Sequence, residues 1–378
     1  MGTVASTFVD TLSVRRWRWF DVQLFLYMGL LIVFGVVVGY SASYTSAGAL
    51  GDLSQTVKTL LWTTIGLIVF FVAATVDYHW LETFTVPIYL GVLGLLLLTT
   101  LIGRNLFGAQ MSITVAGLDF QFSEVSKVLM VVVLASFLSR RRERVGKLST
   151  IVGATLLMAV PAYLVYRQPD LGTALVFVAI LGGMLFMSGA SVGWLAILSG
   201  ACVAVAPLAI GALQTYQRQR LFCFLDPQAD PQGACYQLTQ ALNAVGSGGW
   251  LGEGLTAGRQ NQLGYLPVQS TDFIFTVVAE ELGFVGSIIL IGLFALLVTR
   301  MLTIAWQARD SLGRMVGVGL ATMILFQVAV NIGMVTGIMP VTGIPLPFIT
   351  YGGSSMVSLL FGLGILESVR IHTRKPTF

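Results

Sequence analysis

The sequence predicts an all-α integral membrane protein with about ten transmembrane helices, both termini cytoplasmic, and one large extracytoplasmic loop. Three observations predict it. The chain is 56% apolar and only 10% charged, where a soluble domain carries roughly 25% charged residues. Its mean hydropathy is +0.86. Apolar runs close to the ~20 residues that cross about 30 Å of hydrocarbon recur along its whole length. No nucleic-acid-binding pattern, dinucleotide fingerprint or P-loop occurs, which excludes those function classes.

The runs place helices at about Phe20–Tyr40, Val57–Val76, Phe84–Ile102, Ser123–Leu138, Thr150–Tyr166, Leu171–Met187, Val192–Ala212, Asp272–Thr299, Leu312–Gly337 and Gly352–Val369. Residues 1–19 read as a cytoplasmic tail. Arg15, Arg16 and Arg18 precede an apolar run longer than a signal-peptide core, with no small-residue cleavage site where one is expected. Residues 20–378 read as a single polytopic domain. With the N-terminus inside, 14 of the 21 Lys and Arg fall on cytoplasmic segments, in clusters at 15–18, 140–147, 300–314 and 370–375. That bias follows the positive-inside rule.

The outside segments are the irregular ones. Residues 103–121 read as a short surface hairpin. Residues 213–271 form a loop too long to lack structure without a function, so short helices at the membrane surface are expected. Residues 339–355 hold three prolines and three glycines, and such backbone sits at membrane depth only when protein shields it or it lines a wet cavity.

Several side chains there could carry chemistry. Asp272 follows a polar loop and opens an apolar helix. Ser270 and Thr271 would cap that helix, leaving Asp272 charged in its first turn, where the dipole favours a carboxylate. The plainer reading is that Asp272 is itself only a cap. Glu124 and Lys127, three residues apart, share a helix face, either as site residues or as an ion pair that fixes packing. Arg218, Arg220 and Arg259 are candidates to clamp phosphate oxygens, or simply anchor at lipid headgroups. The glycine-rich stretch 245–258 allows close backbone approach to a ligand, or merely makes a loop. Glu280 and Glu281 lie roughly 12 Å along the helix from Asp272. That exceeds the ~5–9.5 Å of a glycosidase carboxylate pair, so they read as structural. Cys223 and Cys235 share the long loop and could pair in an oxidising compartment. His79 and His372 lie too far apart in sequence to suggest a metal site.

Taken in order, these stretches resemble the SEDS family (shape, elongation, division and sporulation). The resemblance rests on Gly108-Ala-Gln110, Phe122-Ser-Glu-Val-Ser-Lys127, Gln168-Pro-Asp-Leu-Gly-Thr-Ala174 and Tyr216-Gln-Arg-Gln-Arg220. It continues through Asp230-Pro-Gln-Gly233, Val245-Gly-Ser-Gly-Gly249, Ser270-Thr-Asp-Phe-Ile-Phe275 and Glu280-Glu-Leu-Gly283. It ends on Pro340-Val-Thr-Gly-Ile-Pro-Leu-Pro347 and Tyr351-Gly-Gly-Ser-Ser355. Asn331-Ile-Gly-Met334 favours the elongation branch over the division branch. Three positions depart from the family pattern: Met111-Ser112 replace Arg-Trp, Phe122 replaces a proline, and Val268 replaces a glutamate.

The resemblance implies a peptidoglycan glycosyltransferase of the bacterial cytoplasmic membrane. It would polymerise lipid II at the outer face into an undecaprenyl-pyrophosphate-linked glycan, beside a class B penicillin-binding protein. Asp272 would be the catalytic base. Glu124, Lys127, Arg218, Arg220, Arg259, Ser270 and Thr271 would bind substrate, and Glu280, Glu281 and Asp170 would be structural. A divalent cation, Mg or Mn, could share the charge with the arginines, although no ligand cluster marks one. The competing readings are a lipid II flippase and a non-catalytic scaffold. A flippase places polar groups near the midplane, open to both sides, whereas here they crowd one face.

Overall fold

The computed structural model describes residues 17–43, 53–102, 104–106, 109–115, 118–211, 213–262 and 272–372. Ten long helices run through them: α1 Val22–Ser43, α2 Leu53–Thr75, α3 Thr85–Ile102, α4 Phe122–Arg140, α5 Leu148–Arg167, α6 Leu171–Met187, α7 Val192–Gly211, α8 Ile274–Gln307, α9 Ser311–Val335 and α10 Gly353–His372. Seven are long and apolar enough to cross a bilayer, and α3, α6 and α7 are shorter apolar helices. The ten match the ten apolar runs.

Helices α4, α9 and α10 form the buried centre, while α1, α2 and α5 turn much of their surface outward. Lipid is as apolar as leucine, so such helices associate by close approach at small residues. Gly317 brings α9 onto Ala305 of α8, and Gly364 brings α10 onto the backbone of α2 at Phe70. At the arginine-rich end, charge does the joining. Asp21, just before α1, accepts from Arg300 of α8 at 2.9 and 2.6 Å, and its N–H donates to Glu367 of α10 at 2.8 Å.

The other end is irregular, as expected. Strands β1 Arg104–Leu106, β2 Ala109–Val115 and β3 Leu118–Phe120 form an antiparallel sheet in the order β1-β2-β3, with Asn105 opposite Gln110 and Thr114 opposite Asp119. The expected hairpin thus has a third strand. The described part of the long loop contains three short helices, Thr215–Leu225, Tyr236–Ser247 and the four-residue Arg259–Gln262. A Cys223–Cys235 disulfide joins the first two. The proline-rich segment 336–352 folds into the protein, with Val341, Ile344, Leu346, Phe348 and Ile349 buried.

One feature departs from the predicted helices. Residue 283 breaks α8: Gly283 has φ 65° and ψ −160°, a region open essentially only to glycine. The break frees two carbonyls and two N–H groups, which cannot stay unpaired in a bilayer. The glycine-rich stretch supplies all four partners. The N–H groups of Glu253 and Gly254 donate to the carbonyls of Glu280 and Glu281 at 3.0 Å each. The N–H groups of Phe284 and Val285 donate to Gly249 and Trp250 at 2.9 and 3.1 Å. The glycines of 245–258 therefore permit close approach to a helix backbone. A Cβ at Gly248 or Gly252 would strike the carbonyl of Ala279 or Glu281.

Gly283→Ala should therefore cost about 1–3 kcal/mol of strain or more and lower the thermal midpoint in detergent. Gly292→Ala, where a Cβ meets nothing within 4 Å, should leave the melt unchanged. Equal midpoints for the two variants would refute the inserted-loop account.

Candidate active site

The site is assembled where the starts of α4, α6, α8 and α10 meet at the irregular end. Gln121, before α4, donates its N–H to Ser354 Oγ of α10 at 3.0 Å and its amide to Asp170 at 3.5 Å. Asp170 caps α6, its carboxylate accepting from Thr173 N–H at 2.9 Å. Gly172, in the first turn of α6, lies so close to the proline-rich segment that a Cβ there would stand 2.7 Å from the Thr342 carbonyl. The next residue, Gly343, has φ 74°. A Cβ on it would lie 3.3 Å from Asp272 Oδ2 and 3.7 Å from Arg220 Nη1. Asp272 and Arg220 thus face the same small space over bare backbone.

Asp272 does not sit in the first turn of α8. The helix starts at Ile274, with Phe273 at the cap position and no side-chain cap, while Ser270 and Thr271 lie outside the described residues. The reason is Asn331 of α9. Its buried amide donates to the Asp272 carbonyl at 3.0 Å and to the Ile344 carbonyl at 2.7 Å. Thr276 N–H then turns to Phe273 instead, at 2.9 Å. Asn331 ties both backbones that flank the aspartate, and the sequence reading missed this role. An amide in an apolar helix was the available signal.

The acids at this end differ in what they touch. Glu124 is buried and accepts from Lys127 Nζ at 2.7 Å, and Lys127 is 1% exposed. The pair closes on itself inside α4. Glu280 accepts from Gln260 N–H at 2.7 Å, and Glu281 accepts from the Ser41 hydroxyl. Glu280 is thus bonded to the inserted loop and Glu281 to α1. Asp272 is half-buried, and among the described residues its carboxylate accepts no hydrogen bond and closes no ion pair. Burial pushes its carboxyl above the usual carboxylate range. Arg220 pulls it back, and Asp170 pushes it further up.

The three arginines separate. Arg220 faces the aspartate. Arg218 donates to the carbonyls of Ile210, at 3.1 Å, and Gly211, closing the end of α7. Arg259 is exposed, with its N–H on Glu253 at 3.3 Å, in the loop that holds Glu280. Tyr216, beneath Arg220, hydrogen-bonds the Pro169 carbonyl at 3.1 Å. His79 and His372 both stand beside Tyr78, with ring centroids 4.2 and 6.4 Å away, at the opposite end. Among the described residues no group of three or more His, Cys, Asp or Glu could hold a metal ion.

A multi-pass bundle of apolar helices, with an acid that has no ion-pair partner among the described residues facing a guanidinium at its irregular face, defines a polytopic membrane protein with a polar site at one surface. A family model described as cell cycle protein, that of FtsW, RodA and SpoVE, matches residues 22–375, and the chain belongs to that family. It is 37% identical over 358 residues to peptidoglycan glycosyltransferase MrdB of Escherichia coli strain K12, covering 94% of each chain. It is 36% identical over 371 residues to a probable peptidoglycan glycosyltransferase FtsW of Geobacter sp. strain M18, covering 96% of this chain and 99% of that one. Several solved chains share the fold, two of which are as follows. One is described as the structural coordination of polymerization and crosslinking by a peptidoglycan synthase complex. It has a TM-score of 0.80 and 30% identity over 93% of this chain and 97% of that one. The other is an aspartate-to-alanine variant of Thermus thermophilus rod shape determining protein RodA, with a TM-score of 0.72 and 27% identity over 94% of this chain and 99% of that one.

Two outcomes follow from these contacts. Asn331→Ala removes the donor from one buried and one half-buried carbonyl, at about 1–3 kcal/mol. Hydrogen exchange of the amides at 273–276 should accelerate by tenfold or more, while exchange in α4 is unchanged. Lys127→Ala strands a buried carboxylate, a loss of about 3–5 kcal/mol. Replacing both members, Lys127→Met with Glu124→Gln, should recover most of the melt. An unaltered midpoint in Lys127→Ala would show that the pair does not hold the fold.

Proposed function

We propose that this protein is a peptidoglycan glycosyltransferase that polymerises lipid II at the outer face of the bacterial cytoplasmic membrane, with Asp272 as its general base. The observation that carries the reading is the Asp272 carboxylate beside Arg220, without a hydrogen bond among the described residues. The donor sugar already carries an anionic pyrophosphate, so its departure needs no general acid. What the reaction lacks is a base for the attacking GlcNAc 4-hydroxyl and positive charge for the departing group. Asp272 takes the hydroxyl proton as the oxygen bonds the anomeric carbon. The bond from that carbon to the phosphate oxygen breaks, and undecaprenyl pyrophosphate leaves with the electron pair. Attack opposite the leaving group inverts an α-linked donor into a β-1,4 product. Arg220 and the partial positive charge of the converging helix starts receive the anion.

The elongation branch remains our assignment on Asn331-Ile-Gly-Met334, since relatives named MrdB and FtsW match almost equally. A class B penicillin-binding protein is the partner we assign, supported by the structural likeness to a chain of a peptidoglycan synthase complex. Glu124 and Lys127 are assigned an indirect role, as a buried support under the site.

Purified protein given lipid II tests the reading. Asp272→Asn should reduce polymer by at least a hundredfold while its melt matches wild type. Full polymer from Asp272→Asn would end the proposal. The raised pKa gives the pH dependence its sign. The base is active only when deprotonated, so the rate falls as pH drops through the folded pKa. That acid limb should lie above the ~3.9 of an ordinary aspartate. Arg220→Ala, by removing the cation that opposes the shift, should move the limb to higher pH.

A further inference from the structure

The arginine run 140–147 has work to do beyond setting orientation. Its members have separate fates. Arg140 pairs with Glu82 at 3.1 Å, and Arg141 lies over the Phe137 ring at 4.0 Å. Arg142 instead lines a cavity of about 60 Å³ with Val145, Ser188, Ser311 and Arg314. A water needs roughly 10–15 Å³ by the same measure, so one oxyanion and a few waters fit. The cavity lies where the α4–α5 turn meets the end of α6 and the start of α9, at the arginine-rich face.

Its charge is uncompensated. Among the described residues neither Arg142 nor Arg314 has an ion-pair partner, and Arg314 Nε is buried without a hydrogen-bond acceptor. Asp310, the acid four residues before Arg314, is already engaged. It accepts from the Tyr78 hydroxyl and, at 3.1 Å, from Gly313 N–H. A buried guanidinium nitrogen with no acceptor among the described residues is open to a water or a bound anion. Two guanidinium forks suit phosphate oxygens better than any neutral group. Beside the cavity α6 ends in exposed apolar side chains, Phe186 62% and Met187 43% exposed.

We propose that this cavity binds a phosphate ester, the headgroup of an anionic phospholipid from the leaflet it faces, with the acyl chains along the exposed end of α6. Basic pockets between helix ends on a cytoplasmic face take such headgroups. The bound phosphate would bridge the ends of α4, α6 and α9, far from Asp272 and independent of its chemistry.

The test is native mass spectrometry and thermal melting of the full chain in detergent, titrated with phosphatidylglycerol, phosphatidylcholine or inorganic phosphate. Phosphatidylglycerol should bind and raise the midpoint, and phosphatidylcholine should not. Arg142→Gln, an exposed position, and Arg142→Gln with Arg314→Gln should each weaken phosphatidylglycerol at least tenfold. Arg144→Gln, outside the cavity, should bind as wild type does. If inorganic phosphate alone raises the midpoint and displaces the lipid, the phosphate site stands and its source is soluble. Equal binding by wild type and Arg142→Gln, or no binding of either phosphate form to wild type, overturns it.

Discussion

The backbone exchange at Gly283 is the constraint on which the rest of this face depends. A helix interrupted at membrane depth exposes groups that hydrocarbon cannot satisfy, each costing several kcal/mol. Here the four freed groups find partners in one passing loop, at 2.9–3.1 Å. That exchange fixes the loop against α8 and leaves Glu280 and Glu281 with defined partners. The upper half of α8 is thereby clamped between the loop on one side and Asn331 on the other. An acid at its tip is held by backbone rather than by bonds to its own carboxylate.

In the proposed mechanism this distinction decides which acid is free to act. A carboxylate already engaged in hydrogen bonds has fewer free lone pairs to offer a substrate hydroxyl. Glu124 has Lys127, Asp170 has Thr173, Glu280 has Gln260 and Glu281 has Ser41. Asp272 is positioned through its carbonyl, while its carboxylate is left to burial and to Arg220. Positioning and basicity are thus supplied by different atoms of one residue.

Much of the architecture was legible because hydrocarbon thickness imposes a length on every crossing, so apolar runs located all ten helices. The break at 283 was not legible. A glycine inside a helical run costs only about 1 kcal/mol, and its partner lay some thirty residues upstream. Arg218 and Arg220 looked equivalent as neighbours in a loop. Once Thr215–Leu225 is helical, residues two apart point to different sides, so one closes α7 and the other faces Asp272. The start of α8 was misread because a capping Ser-Thr pair is a local signal, whereas the actual boundary is set by an amide 59 residues away.

The two ends of the bundle solve the same packing problem by different means. At one end, paired charges such as Asp21 with Arg300 draw regular helices together. At the other, the backbone itself is folded inward and shielded, as with Gly343 and the buried residues around it. Only the second arrangement can hold a charged group at the lipid–water boundary without giving that group a permanent partner. In the proposed reaction the acceptor brings a hydroxyl and the donor an anion to one point, and the pair needs both an acceptor for the proton and a nearby cation there. Irregular backbone at this face is what keeps the two apart and available.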